Sequence, residues 1–296
     1  MGRRVALVGG VAAALTGALV LGPTVGGSGD GEQPVLGIDA AAAAVLQDAA
    51  VAEAELEPWA PRPDQFVYRK YVNSYSVQGE GADGSFVQTL NTASTEEWMS
   101  VDGLHTGFRT SWIEPGEAYP DGELSEGPLD PCAEGTESWC MNVQAYPPDL
   151  PTDGDAEVML QYLRDNNGGA PVPDDQPEPF PDTDTFQQAE ELLTLGSLPP
   201  QSRSAVFGAI ALIPGVTVTG DALDVAGRPG TAVGLTFATE ARHELIFDSE
   251  TNEFLGFRQL WSPDDIADGV PASEDGAGWS LALLESGVVD EVGQKP

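Results

Sequence analysis

The sequence predicts an α+β domain built on antiparallel sheet. Three observations predict it. Strand-like stretches fall in two runs, one before and one after a helical middle. No regular β-α alternation links them. Turn signals separate neighbouring stretches closely enough for hairpins. With 296 residues, 41% hydrophobic and 20% charged, the chain is globular in composition and long enough for a sizeable core.

The elements follow in order. Residues 39–57 read as a helix, with Asp39 at the N-cap, an alanine run of high helix propensity, and Val45, Leu46, Ala49, Ala52 and Leu56 on one side. Pro58, Pro61 and Pro63 end it. Residues 65–73 (QFVYRKYVN) are aromatic and β-branched, and read as a strand. Residues 85–92 and 96–101 read as two more. The Asp102-Gly103 hairpin signal leads into a fourth at 104–113. Residues 114–151 are acidic and turn-rich, too long for a simple connection, and are expected to form a flap or insertion. Helices are expected at 152–164, from Asp184 with Phe186, Ala189, Leu192 and Leu193 inward, and at 202–213 after Pro199-Pro200. The strands resume at 216–219, 222–225, 231–237, 242–247 and 253–261. An acidic loop follows at 263–276, and 278–292 is expected to add a last edge strand.

Charge is distributed unevenly. Twelve Lys and Arg stand against 48 Asp and Glu, a formal charge of −36. So acidic a chain excludes nucleic acid as its main partner, because that binding needs clustered cations to displace counterions. Arg3 and Arg4 come before any acid and lead into an uncharged run, 5–21. A basic flank followed by an apolar run is read by the secretion machinery. As a helix it spans about 25 Å, slightly under a bilayer core. Residues 1–22 are therefore expected to be a transmembrane anchor or signal segment, and 23–37, rich in Gly, a flexible linker. Residues 38–296 are expected to form an extracytoplasmic domain. Secretion after signal cleavage is the alternative.

Cys132 and Cys140 are the only cysteines. An even pair in an exported chain, without Cys-x-x-Cys spacing, is expected to be one local disulfide.

Several segments together resemble a known family: Arg62-Pro-Asp-Gln-Phe-Val-Tyr68, Glu97-Trp-Met-Ser-Val-Asp-Gly103, Leu150-Pro-Thr152, Leu198-Pro-Pro200, Ile213-Pro-Gly-Val216, Asp224-Val-Ala-Gly-Arg228, Glu244-Leu-Ile-Phe-Asp248 and Ser286-Gly-Val-Val-Asp290. Over residues 38–296 the series resembles an uncharacterised family of actinobacterial membrane-anchored extracytoplasmic proteins, often encoded beside extracytoplasmic-function sigma factors. More distantly, the pattern is similar to the curved antiparallel half-barrel of LolA and RseB. The resemblance implies a membrane regulatory protein as a partner. Members of the family commonly carry a longer cytoplasmic segment than the four residues that precede the apolar run here.

Catalytic chemistry finds little to stand on. There is no Gly-x-Ser-x-Gly and no phosphate-cradling Gly-Lys-Ser/Thr loop, and only His105 and His243 could serve as imidazole bases. Asp153, Asp155 and Glu157 alternate as in calcium loops but lack the full pattern, and suit a helix first turn instead. No catalytic, cofactor or metal residues are assigned. The strand aromatics Phe66, Tyr68, Trp98, Trp112, Phe257 and Trp261 are the candidate lining of an apolar ligand groove under the helices; packing against those helices is the plainer reading. The function expected is binding or sensing rather than catalysis, with a cell-envelope hydrolase or a structural surface protein as alternatives.

Overall fold

The computed structural model describes residues 39–58, 60–80, 86–116, 119–131, 149–166, 181–196, 198–237, 239–267 and 269–296. The leader expected at 1–22, its linker, the cysteine pair and the second Pro-rich loop lie outside these residues, apart from the linker-proximal Asp39 and the ends of the loops. Among the described residues no helix is long and apolar enough to cross a membrane.

Helix α1 (Ala40–Ala54) opens the domain, and its N-cap Asp39 accepts from Ala41 N at 3.2 Å. Strands β1 (Phe66–Glu80), β2 (Phe86–Ser100), β3 (Gly107–Ile113) and β4 (Glu123–Leu129) follow as a meander. Three helices come next, α2 (Ala156–Asp165), α3 (Pro181–Thr194) and α4 (Pro200–Ile210). The second meander is β5 (Thr217–Leu223), β6 (Pro229–Thr236), β7 (Arg242–Asp248) and β8 (Phe254–Leu260). A short α5 (Pro263–Ala267) and β9 (Ala277–Val289) complete the order.

The nine strands among the described residues join one antiparallel sheet in the order β4-β3-β2-β1-β9-β8-β7-β6-β5. β9 was expected at an edge and is instead central. It pairs with β1 on one side and β8 on the other, so the last strand joins the two meanders. Leu281 and Ala282 are consecutive and both buried, as a strand covered on both faces requires. Three other boundaries differ from expectation. The stretches 85–92 and 96–101 are one strand, because the polar run between them pairs with β1 without interruption. The two short stretches from 216 to 225 are likewise one strand, β5, with a register shift between Val218 and Gly220. β4 lies within the acidic segment that carried no strand signal; its side chains are largely exposed, and its pairing to β3 alone makes it.

The helices cover one face of the sheet. Leu46 of α1, Met159 of α2, Phe186 and Leu193 of α3 and Phe207 of α4 pack on Val67, Met99, Leu245 and Phe257 in one continuous core. Phe186, Ala189, Leu192 and Leu193 are all buried, as the periodicity predicts. Leu56, read as inward from α1, is 52% exposed, because the helix ends at Ala54. Strand parity then sends Phe66, Tyr68 and Trp98 to the other, helix-free face, where they form a separate cluster with Val289.

Candidate functional site

Of the six aromatic residues, Phe66, Tyr68, Trp98 and Trp112 fall on one face of the sheet and Phe257 on the other, so the six do not line one groove. Phe257 is buried in the helix-side core, edge-on to Trp279 at 5.1 Å. Phe66, Tyr68 and Trp98 are buried on the helix-free face, with the Tyr68 and Trp98 rings 5.2 Å apart. Trp112, in register with Ser94 of β2, shares that face and is 39% exposed. Trp261 follows β8, and its indole N–H donates to Pro271 O at 3.0 Å. The physical reason is the pleat. Residues 66, 67 and 68 are consecutive and all buried, so aromatic content cannot report which face each one occupies.

Beneath the helices the space is mostly filled. Among the described residues an opening of about 610 Å³ lies where the end of α1 and residues 60–65 meet the start of α4, and a cavity of about 200 Å³ lies between α3 and strands β1, β8 and β9, bounded by Phe257, Trp279, Asn73 and Glu190. Its walls mix apolar side chains, Phe257, Trp279 and Leu281, with polar ones, Asn73 and Glu190. Glu190, buried on α3, accepts from Gln259 Nε2 at 3.0 Å and lies 3.2 Å from His243 Nδ1. Phe237 stacks flat on the His243 ring at 4.1 Å. The imidazole is thus enclosed between a carboxylate and a phenyl face. His105 lies 3.0 Å from Asp102 in the β2–β3 turn.

The cluster on Tyr68 and Trp98 is covered by residues 290–296. Trp98 Nε1 donates to Gln294 O at 2.6 Å, and Lys295 Nζ lies 2.8 Å from Glu96 and over the Tyr68 ring. Glu96 also holds Lys70, so both lysines of the sequence meet one carboxylate. Hydrogen-bond contact with Glu96 is the main cause raising the Lys295 pKa.

The larger opening is on the helix-free face: a groove of about 800 Å³. Its floor is made of small residues, among them Ser74, Ala222, Gly230, Ala277 and Ser280, contributed by β1, β5, β6 and β9. The β5–β6 turn forms one wall and residues 273–275 the other. Each wall is fixed by a charged anchor. Asp224 holds the turn, accepting from Ala226 N, Arg228 N and Arg228 Nε at 2.6–3.0 Å. Arg228 Nη2 then donates to Leu255 O at 2.9 Å and Leu283 O at 2.8 Å. In a flat sheet β6 and β9 would lie roughly 14 Å apart at about 4.8 Å per strand. One side chain bridging that interval requires the strands to curl toward each other here.

On the opposite wall Arg258, 8% exposed, joins Glu244 Oε2 at 2.7 Å to Asp275 Oδ2 at 2.6 Å. Glu244 is fully buried and is also held by Arg242 at 2.7 Å and by the Thr219 hydroxyl. Burial, the strongest single influence, pushes the Glu244 pKa up. Hydrogen bonds from Thr219, Arg242 and Arg258 together outweigh it, so the carboxyl sits below its ordinary value. No signal in the sequence marked this groove, because its floor is Ala, Gly and Ser and its walls are turns.

Among the described residues no group of three or more His, Cys, Asp or Glu side chains is placed to hold a metal ion. The alternating acids at 153–157 serve α2, whose N-cap Asp155 accepts from Glu157 N and Val158 N.

No protein-family model matches the chain, and no curated protein matches it. Among solved structures it is similar to the complex of Pseudomonas aeruginosa MucA and MucB, at 12% identity over 87% of this chain and 59% of that one, with a TM-score of 0.28. It is also similar to MucB alone, at 13% identity over 87% and 61% of the two chains, with a TM-score of 0.27. This chain spans about three fifths of the solved chains it matches.

Proposed function

We propose that the chain is a binding or sensor protein of the cell envelope. An N-terminal segment holds it in the membrane, its folded domain lies outside the cytoplasm, and it takes a small ligand in the groove on the helix-free face. Occupancy is passed to a membrane regulatory protein, in keeping with the sigma-factor context that the family resemblance implies. The observation that carries the reading is the groove itself. At about 800 Å³ it falls in the range of small-molecule sites, and anchored turns form both its walls. The export leader read from residues 1–22 supports the location.

The hydrolase alternative would turn on His243, which forms a buried pair with Glu190. A hydrolytic base must reach the proton it removes. Here the ring is stacked by Phe237 and bonded to a buried Glu190, an arrangement suited to packing α3 on the sheet.

The test is extraction and mass spectrometry of small molecules that co-purify with the full chain from membranes. Val225 lies in the β5–β6 turn, lines the groove and is half-buried outside the core clusters, so Val225→Trp narrows the groove without touching the core. A compound present with the native chain and depleted at least tenfold in the variant is expected. Equal loads in both would remove the groove as the site.

A further inference from the structure

We propose that the ligand of this groove is an uncharged saccharide, held by the buried hydroxyls of Ser74 and Ser280 on the groove floor. The inference rests on the preceding reading of the groove as the site and adds the chemical class.

The first support is a pair of hydroxyls without partners. Arg258, Ser280 and Ser74 lie in one row across β8, β9 and β1, each in register with the next. Ser74 is an even number of residues along β1 from Tyr68, so the row lies on the helix-free face. All three residues line the groove. Ser74 and Ser280 are each 6% exposed, yet neither hydroxyl has a hydrogen-bond partner among the described residues. Buried polar side chains are normally satisfied, and one left without a partner costs stability. A serine hydroxyl both donates and accepts. Two of them about 5 Å apart on neighbouring strands suit a ligand that carries several groups of the same dual kind, as a sugar ring does.

Charge is the second support. Arg258 is shared by Glu244 and Asp275, and Arg228 is held by Asp224 and two backbone carbonyls. An anionic ligand would have to break one of these pairs to gain a cation of its own. Removing one partner of a buried pair is strongly unfavourable. The carboxylates of the anchors are taken in the same way. Asp224 is held by Arg228 and the turn amides, and Asp275 by Arg258 and the Ser273 hydroxyl. The anchors therefore offer no free charge of either sign. Around the serines, Ala222, Gly230 and Ala277 keep the floor clear of bulky side chains, and Val225 and Pro229 add apolar surface at its edge. Such surface takes the C–H face of a sugar ring while the ring hydroxyls meet Ser74 and Ser280. At about 800 Å³ the groove has room for a disaccharide.

The experiment is isothermal titration of the full chain in zwitterionic nanodiscs, with empty nanodiscs subtracted. The probes are the disaccharides maltose, cellobiose, lactose and trehalose, and the longer maltohexaose and cellohexaose. At least one is expected to bind, with an affinity that does not change as added NaCl screens charged contacts. Binding by disaccharides alone points to a free sugar as the source, and binding of a hexaose at least as tight points to a glycan. Ser74→Ala with Ser280→Ala should weaken binding at least tenfold. The melting temperature should hold or rise, because these hydroxyls have no partner in the fold to lose. Val225→Trp should weaken binding as much. The inference is overturned by no binding of any probe, by binding that either variant leaves intact, or by binding that falls with salt. A melting temperature lowered by the double variant would show the hydroxyls already engaged in the fold, and overturns it as well. The groove reading is decided separately by the co-purification comparison. A compound depleted in Val225→Trp that is not a saccharide removes this inference and leaves the groove as the site.

Discussion

Glu97 is fully buried on β2, with Arg69 of β1 on one side and Arg109 of β3 at 2.6 Å on the other. Arg69 also donates to Thr194 O at the end of α3, so one carboxylate ties three strands and a helix together. Burial lowers the Arg109 pKa, but the Glu97 charge and hydrogen bond more than reverse this and leave it raised. Glu97→Ala leaves two guanidiniums without their carboxylate and should cost about 3–5 kcal/mol, read from urea unfolding. A loss under about 1 kcal/mol would mean that water or Tyr71, whose ring lies 4.9 Å from the Arg69 guanidinium carbon, takes over. Gly287 makes a different residue-scale case. A methyl there would run into the Pro296 side chain, the far end of the segment over Trp98. Gly287→Ala should displace that segment and red-shift tryptophan emission at little cost in stability. Unchanged emission would show that the segment accommodates the methyl. Neither role was legible in the sequence. Glu97 stood next to Trp98 as part of a family-like string, and the two side chains turn out to face opposite sides of the sheet.

At the scale of elements, β9 carries the architecture. It is the strand through which the two meanders become one sheet, and it runs close against β8 at Gly256, where a Cβ would collide with the carbonyl of Leu281. That neighbour is backbone and cannot swing aside. Gly256→Ala should therefore cost about 3 kcal/mol or more, near the upper end for single substitutions, with hydrogen-exchange protection lost first along β8 and β9. Uniform loss across all strands would contradict a local fault. Strand signals along the chain were largely readable, because β-branched and aromatic residues mark them and DG-type turns separate them. So was the buried face of α3. Two things were not. Strand order depends on pairings between residues some 200 positions apart, such as Phe66 with Val289, and no local pattern encodes them. The groove was hidden because it is built from what side chains leave out, a floor of Ala, Gly and Ser between two turns.

For the whole molecule, the excess of acid sets how stability responds to pH. At neutral pH the 48 acidic side chains repel one another across a surface whose described cations are all paired. Mild acidification protonates some exposed carboxylates and relieves that repulsion, so stability should rise from pH 7 toward about 5. A second population acts in the other direction. Glu96, Asp102, Glu244, Asp248, Asp275 and Asp290 all have lowered pKa values in the fold. Causes differ among them. In Glu244 and Asp275 burial pushes upward and is overcome by bonds from Thr219 and the arginines or from Ser273, whereas Asp290 is lowered first by its bond from Gln65 and then by Arg62. A group whose folded pKa is depressed stabilises the native state above its unfolded value, about 4 for Asp and Glu. It loses that contribution as pH falls through the folded value. The urea midpoint should therefore pass through a maximum near pH 5 and fall steeply below about 4. Added NaCl should raise the midpoint at pH 7, where long-range repulsion is screened over about 10 Å at 0.1 M, and do much less at pH 5. A midpoint that kept rising down to pH 3 would show that these six carboxylates contribute nothing net. The Arg258 anchor of the groove would then have to be held by packing rather than by charge.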